Sequence, residues 1–238
     1  MKRSFRRTIK RWFLMLLFFL ICIAMTVSTV IVGNGYMTYR HAIQEEPLEI
    51  AMQSVHGQSN FVPLAEVNPI YLDAVIAIED HRFYKHQGID ARAMLRAIKT
   101  DIQTGSYAEG GSTISQQLAK NLYFSHEKSL NRKIAEIFMA RALEKNYNKV
   151  EILEAYINTI YFGNGYYGIY KAAVGYYDAL PSELTKNQAT LLAGVPNAPN
   201  AYAPNTNMNL ARQRQRQVLD AMVKYHFLPR EEADKIQA

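Results

Sequence analysis

Two groups of residues in this chain have types and spacing suited to chemistry. Glu79 ends an apolar run, residues 74–78, and a carboxylate in apolar surroundings suits a general base. Further on, a glycine pair at 110–111 leads into amides, hydroxyls and the ammonium of Lys120. A base beside a polar, cationic cradle is what the transfer of a group off a phosphate requires.

The segment that follows the glycine pair predicts a capped helix with one polar face. Thr113 and Gln116 have the spacing of a capping box, and the glycines permit tight or left-handed backbone before it. Exposed amides at such a helix start favour an anion. Thr113, Gln116 or Gln117, and Lys120 share a face, and Asn121 flanks Gln117. From spacing alone, an ordinary solvated helix explains this segment equally well.

A third polar segment, residues 128–136, carries three cations and a second carboxylate. Arg132 and Glu136 stand four residues apart, and as a plain helical pair they would contribute only ~0.2–0.5 kcal/mol. Most pairs with this spacing are ordinary helical ion pairs, so the spacing by itself assigns no function to Arg132 and Glu136.

The elements that must position these residues read as helices almost throughout. Apolar residues recur at three- and four-residue intervals over 70–79 and 90–103. Asn148 with Glu151, and Thr185 with Gln188, predict two further helix starts, and two C-terminal helices follow around 209–224 and 229–237. No strand-like alternation is sustained, so we expect an all-α fold.

Segments 79–88 (EDHRFYKHQG) and 110–121 (GGSTISQQLAKN) together resemble the motifs of the peptidoglycan glycosyltransferases. These are lysozyme-like enzymes that polymerise cell-wall glycan from a lipid-linked disaccharide, lipid II. Segment 128–136 resembles their next motif, and the whole resemblance covers about residues 66–205. Ser115 departs from the pattern, where threonine is expected, but both residues present a hydroxyl.

The resemblance implies roles for the polar residues. Glu79 would be the base that deprotonates the acceptor sugar's 4-hydroxyl, and Glu136 the second carboxylate, orienting the donor or holding Mg²⁺ or another divalent cation against its pyrophosphate. Lys120, Lys128 and Arg132 would neutralise the leaving pyrophosphate. The full set implied at the substrate is Asp80, Phe83, His86, Ser112, Thr113, Gln116, Gln117, Lys120, Asn121, Lys128, Arg132 and Lys133. Asp80 and Phe83 are expected to support the loop, and His86 to brace it by hydrogen bonding.

The implied reaction is an inverting glycosyl transfer. The two carboxyls of inverting glycosidases stand ~6.5–9.5 Å apart to admit a water. We expect a comparable or larger separation between Glu79 and Glu136, because a sugar hydroxyl must fit between them. Two other classes remain open: a lysozyme-like hydrolase, which has no need of cations around a phosphate, and a non-catalytic membrane-anchored binding module.

The N-terminus predicts a membrane anchor. Residues 1–11 hold six cations and no acid, and residues 12–33 form a 22-residue stretch without charge, close to the ~20 residues that span a bilayer core. A cleavable signal peptide is the alternative, but its apolar region is shorter, ~7–15 residues. The basic tail favours a cytoplasmic N-terminus, with the rest of the chain outside the bacterial plasma membrane.

We expect residues 34–60 to form a connector, because Asn34-Gly35 and similar breaks interrupt any periodic pattern. Residues 61–238 would then form the lysozyme-like glycosyltransferase domain. Since the sequence ends at residue 238, we expect a monofunctional polymerase without a transpeptidase domain.

Composition excludes several other classes. Removing the six N-terminal cations from the 27 Lys and Arg leaves 21, equal to the 21 Asp and Glu, so nucleic acid is not an expected partner. Cys22 is the one cysteine, which excludes a disulfide within the chain. The expected partners are lipid II, the growing lipid-linked glycan, the membrane and other cell-wall synthesis proteins.

Overall fold

The computed structural model describes residues 2–104, 110–124 and 129–237. This part of the chain is helical, without a β-strand, which confirms the all-α prediction. Its α-helices are α1 Lys2–Glu45, α2 Leu48–His56, α3 Pro69–Glu79, α4 Ala91–Thr104, α5 Ile114–Tyr123, α6 Leu130–Asn146, α7 Lys149–Thr159, α8 Ile169–Tyr177, α9 Lys186–Gly194, α10 Pro199–Tyr202, α11 Met208–Lys224 and α12 Arg230–Gln237.

Helix α3 lies in the interior and carries Glu79 at its last position. Asn68 caps its start by accepting a hydrogen bond from the Ile70 amide, and Pro69 occupies the first turn, where its missing N–H costs nothing. Residues Ala74, Val75, Ile76 and Ala77 are buried. Helices α9 and α11 pack against α3, so Glu79 emerges from an apolar environment, as the sequence predicts.

Helix α5, which carries Gln117 and Lys120, packs against both α6 and α7. Its predicted capping box is present: the Thr113 hydroxyl accepts from the Gln116 amide, and the Gln116 side chain accepts from the Thr113 amide. The capping boxes predicted at Asn148 and Thr185 are also confirmed. Each satisfies backbone donors that the first helical turn leaves without partners.

Two glycines let loops approach helices closely. Gly88 has a φ of +83°, and a Cβ there would lie 2.8 Å from the Ala140 carbonyl oxygen of α6. Gly168 also has a φ of +83°, and its Cβ would lie 2.6 Å from the Asn158 oxygen at the end of α7. Other residues are strained at such φ values, so these positions need glycine for both conformation and space.

The expected break at Asn34-Gly35 does not occur. Helix α1 continues through these residues to Glu45, and α2 makes most of the remaining segment helical as well. A glycine inside a helix costs only about 1 kcal/mol, and the last turns of α1 offset this cost by packing on α6. The boundaries of the basic tail, the 12–33 anchor and the 61–238 domain stay predictions.

The N-terminal helix is long and apolar enough to cross a membrane. Within it, residues 11–45 contain a window of 18 residues whose mean hydropathy is 2.7, and none of that window is buried inside the protein. Large apolar side chains from Trp12 to Val32 are exposed. Lipid is the environment in which such a surface is stable.

Candidate active site

Glu79 is held by a chain of neutral hydrogen bonds. Its Oε2 accepts from the Gln117 amide nitrogen at 2.7 Å, and the Gln117 oxygen accepts from the Tyr156 hydroxyl at 3.2 Å. Burial, with a smaller contribution from Glu79, raises the pKa of the Tyr156 phenol well above its usual value. Tyr156 therefore stays protonated and remains a donor, which fixes the orientation of Gln117 and, through it, of the carboxylate.

The other oxygen of Glu79 is the free one. Its Oε1 is buried and accepts no hydrogen bond from the described residues, while the Arg214 Nη2 atom lies 3.8 Å away. The Glu79 side chain as a whole is 11% exposed. One oxygen is thus anchored and the other keeps a lone pair for a proton, which is the arrangement of a general base.

Arg214 is a residue that sequence reasoning missed. It lies on α11 within an alternating run of Arg and Gln, residues 212–217, which reads as a solvated helix face. Its Nη1 atom donates to Gln217 at 2.8 Å, and Gly194 of α9 leaves it room, since a Cβ there would lie 2.8 Å from the Arg214 Cγ. No local signal in the sequence separates Arg214 from its neighbours.

Glu136 has the opposite environment, because cations hold both of its oxygens. Arg132 Nε lies 3.0 Å from Oε1, and Lys133 Nζ lies 2.9 Å from Oε2. Lys133 also donates to the Ser112 hydroxyl at 2.6 Å. The Glu136 side chain is only 2% exposed, whereas that of Lys133 is 41% exposed. A buried carboxylate therefore fixes two cations whose outer faces reach solvent.

The side chain of Lys120 is influenced electrostatically by both carboxylates. Burial lowers the pKa of its ammonium, Arg132 and Lys133 lower it further, and Glu136 and Glu79 both oppose that shift. The ammonium is thus within electrostatic reach of Glu79 and Glu136 at once. That the side chains at positions 79, 120 and 136 line one site stays a prediction.

Several predicted residues brace this region from inside the protein. Asp80 accepts from the Ile114 amide at 3.1 Å and lies 2.8 Å from His86 Nε2, while Thr113 donates to the Gly88 carbonyl at 2.7 Å. Phe83 and Gln116 are buried as well. The expectation that His86 braces the loop agrees with this geometry.

The start of α5 is not an open anion site, in contrast to the prediction. The Asp80 carboxylate already occupies it by accepting from the Ile114 amide, and the capping box takes the amides of Thr113 and Gln116. A helix start attracts negative charge through its free amides and dipole, and here the protein supplies that charge itself. Gly111 serves to create space instead, since its Cβ would lie 3.0 Å from Ala97 of α4.

Two predicted binding residues are not placed with the others. Asn121 lines a separate surface groove of about 490 Å³, whose walls include Ser54 of α2 and Tyr167. Lys128 lies outside the described residues, so its role stays a prediction. A larger cavity of about 760 Å³ lies between the start of α9 and α12, away from Glu79 and Glu136.

The described residues do not fit a resident divalent cation. Hard cations need oxygen ligands, yet both oxygens of Glu136 face Arg132 or Lys133. Among the residues that the structure describes, no group of three or more His, Cys, Asp or Glu side chains is arranged to hold a metal. We therefore assign no step to a metal, and the predicted Mg²⁺ stays a prediction.

Comparison with known proteins decides the family. The sequence model of the family named Transglycosylase matches residues 46–223, which is more than half of the chain. The chain belongs to the transglycosylase family. The family-level resemblance seen in the two motifs is thereby confirmed.

Curated relatives of this transglycosylase are penicillin-binding proteins. Penicillin-binding protein 2D of Bacillus subtilis is 41% identical over 182 residues, covering 76% of this chain and 26% of its own. Penicillin-binding protein 1A/1B of B. subtilis is 44% identical over 169 residues, with 71% and 18% covered. Penicillin-binding protein 1A of Vibrio cholerae is 35% identical over 239 residues, with 94% and 29% covered.

The transglycosylase chain thus spans less than a third of the length of each of these relatives. Among solved structures, penicillin-binding protein 1A from Haemophilus influenzae matches with a TM-score of 0.45 and 22% identity, covering 74% of this chain and 17% of its own.

Proposed function

We propose that this transglycosylase extends peptidoglycan chains, using lipid II as the acceptor and a lipid-linked glycan as the donor. The observation that carries the proposal is the pairing of one carboxylate oxygen of Glu79, which accepts no hydrogen bond from the described residues, with a cluster of cations: Arg132 and Lys133, which Glu136 holds, and Lys120, which lies within electrostatic range of both carboxylates. A hydrolase acting on an uncharged glycan has no use for such a cluster. A lipid pyrophosphate leaving group does.

In the proposed reaction, Glu79 Oε1 takes the proton from the acceptor 4-hydroxyl as that oxygen bonds to the anomeric carbon of the donor. The bond from that carbon to the pyrophosphate breaks on the opposite face, so the configuration inverts. Lys120, Arg132 and Lys133 stabilise the negative charge that develops on the departing pyrophosphate. Since pyrophosphate is a good leaving group, no second protonated acid is needed.

The proposal assigns the polar residues to two sides of the reaction. Gln117 and Tyr156 orient the base. Ser112 holds Lys133, and Glu136 holds Lys133 and Arg132, so that their charges face the donor before it binds. Such preorganisation removes a reorganisation cost that mobile cations would incur during the reaction.

Incubation of the purified full chain with lipid II in detergent tests the proposal. We expect polymeric glycan with inverted linkages in the wild type and only trace product in Glu79→Gln. Release of short sugars from polymeric cell wall, without growth from lipid II, would favour a hydrolase. Retention of the anomeric configuration would contradict the mechanism.

We also propose that α1 crosses the bacterial plasma membrane with its N-terminus in the cytoplasm, leaving the catalytic region outside beside its lipid-linked substrates. A Cys22→Ser, Ser182→Cys variant moves the one thiol to an exposed position between α8 and α9. A membrane-impermeant maleimide should label this variant in intact cells. Labelling only after lysis would reverse the topology. We propose other cell-wall synthesis proteins as partners on the outer side of the same membrane.

A further inference from the structure

Two glycines near the end of the apolar stretch of α1 have opposite environments. A Cβ built on Gly33 would have no heavy atom within 4 Å. A Cβ built on Gly35 would lie 2.4 Å from the Cγ2 atom and 2.5 Å from the Cβ atom of Ile134 on α6. Gly35 is buried, whereas Gly33 is exposed. The backbone of α1 therefore touches α6 directly at Gly35.

Aromatic packing extends this contact along α6. The rings of Tyr36 and Tyr39 lie 5.2 and 5.9 Å from the ring of Phe138, measured between centroids. Ring pairs at these separations contribute about 0.5–1.5 kcal/mol beyond the area that they bury. The Asn131 carbonyl oxygen also lies 3.1 Å from the Gly35 Cβ position. The contact thus runs for about two turns of α6, from Asn131 to Phe138, and joins the membrane-spanning helix to the domain.

The same two turns of α6 carry the cation cluster on another side. Arg132, Lys133 and Glu136 flank Ile134 in the sequence. Lys133 donates to Ser112, and all three side chains lie within electrostatic range of Lys120. Because an α-helix moves nearly as a rigid body, a displacement on the α1 side is transmitted to these charges. Lys120 belongs to α5, so such a displacement would separate it from its companions.

We propose that Gly35 is a positioning residue. Because it lacks a side chain, α6 can pack close enough to α1 for Arg132 and Lys133 to surround a polyprenyl diphosphate together with Lys120. The inference rests on the proposed function, because it takes a lipid diphosphate as the ligand. It assigns α1 a second task besides tethering: its last turns brace the helix that holds the leaving group.

The size of the effect follows from the geometry. A methyl group at Gly35 must retreat from about 2.4 Å to an ordinary carbon–carbon separation of ~3.5–4.0 Å. The two helices must then part by about 1 Å. A misplacement of that size in a binding constellation can cost up to about 10²-fold in rate.

The experiment compares Gly35→Ala with Gly33→Ala in the full chain in detergent. Both changes replace a glycine by alanine in the same helix, so their effects on helix propensity match. The probe is geranylgeranyl diphosphate, whose affinity is measured by calorimetry, and the KM for lipid II is measured in parallel. We expect Gly33→Ala to remain within twofold of the wild type. Gly35→Ala should bind the diphosphate about tenfold more weakly and show a KM about tenfold higher.

A second-site change tests the assigned cause. Ile134→Gly removes the side chain that the new methyl group would meet. The double variant Gly35→Ala, Ile134→Gly should therefore bind the diphosphate within threefold of Ile134→Gly alone. A positioning role predicts this rescue, whereas a general loss of stability does not.

Equal diphosphate affinity in Gly35→Ala and Gly33→Ala would overturn the inference. Should circular dichroism show that Gly35→Ala does not fold, Phe138→Ala loosens the same contact without inserting an atom. That variant must then weaken diphosphate binding several-fold, and unchanged affinity would overturn the inference equally. A wild type that binds no diphosphate would refute the proposed function itself, which is a distinguishable result.

Discussion

Glu79 and Glu136 are the same type of residue in two contrasting environments. Glu79 accepts one hydrogen bond from a neutral amide, leaves its other oxygen without one among the described residues, and has a single arginine 3.8 Å away. Glu136 is more deeply buried, and cations lie about 3 Å from both of its oxygens. A carboxylate that must take a proton needs a free lone pair. A carboxylate that organises charge needs both oxygens occupied.

Among the variants that test this contrast, Glu79→Gln should have the largest effect on activity. The amide keeps the shape and still accepts from Gln117, but it takes no proton. We expect kcat for glycan polymerisation to fall about 10³-fold, within the ~10²–10⁴-fold range of general base catalysis. The melting temperature should stay within about 2 °C of the wild type. A loss of stability as large as the one expected for Glu136→Gln would contradict the contrast between the two carboxylates.

Glu136→Gln should lower both activity and stability. The change leaves Arg132 and Lys133 facing each other without a counter-charge. We expect a cost of about 2 kcal/mol, below the ~3–5 kcal/mol of a fully buried pair, because Lys133 is 41% exposed. For a chain of this size, the melting temperature should fall by about 5 °C. Turnover should fall about 10²-fold, and unchanged diphosphate binding would show that Glu136 does not organise the cations.

Arg214→Gln sharpens the comparison on the Glu79 side. It removes the cation that lies 3.8 Å from the base, and a charge contact of this kind is worth on the order of 1 kcal/mol. We expect kcat/KM to fall several-fold, with little change in diphosphate affinity. Arg216→Gln is the matched control, since Arg216 is exposed on the same helix. Equal losses in the two variants would remove Arg214 from the site.

Lys120→Arg sharpens the comparison at the point where the two sides meet. Burial lowers the pKa of the Lys120 ammonium, so it loses its charge at a lower pH than a free lysine does. Activity should therefore decline at alkaline pH as that proton leaves. An arginine stays charged there, so the alkaline limb of the kcat/KM profile should move to higher pH, with only a few-fold loss near neutrality. An unmoved limb would assign it to another group.

The helices near the site followed closely from the sequence. Helices were predicted over 70–79, from periodicity, and around 209–224, and the structure has Pro69–Glu79 and Met208–Lys224. The capping boxes at Thr113, Asn148 and Thr185 were predicted because each involves atoms within four residues of one another. Predictions failed where the partner came from elsewhere in the chain. The start of α5 received its negative charge from Asp80, and the expected connector became packed helix.

The sequence by itself determined the all-α class and the capped helix that carries Gln117 and Lys120, and it singled out Glu79 and Glu136 as the candidate carboxylates. Tertiary structure alone decided that Arg214 faces Glu79 and that Gly35 rests on Ile134. The physical reason is range. Helix caps and periodic faces depend on neighbours within a turn or two, whereas these contacts depend on how α1, α3, α6 and α11 pack together, and no local pattern encodes that packing.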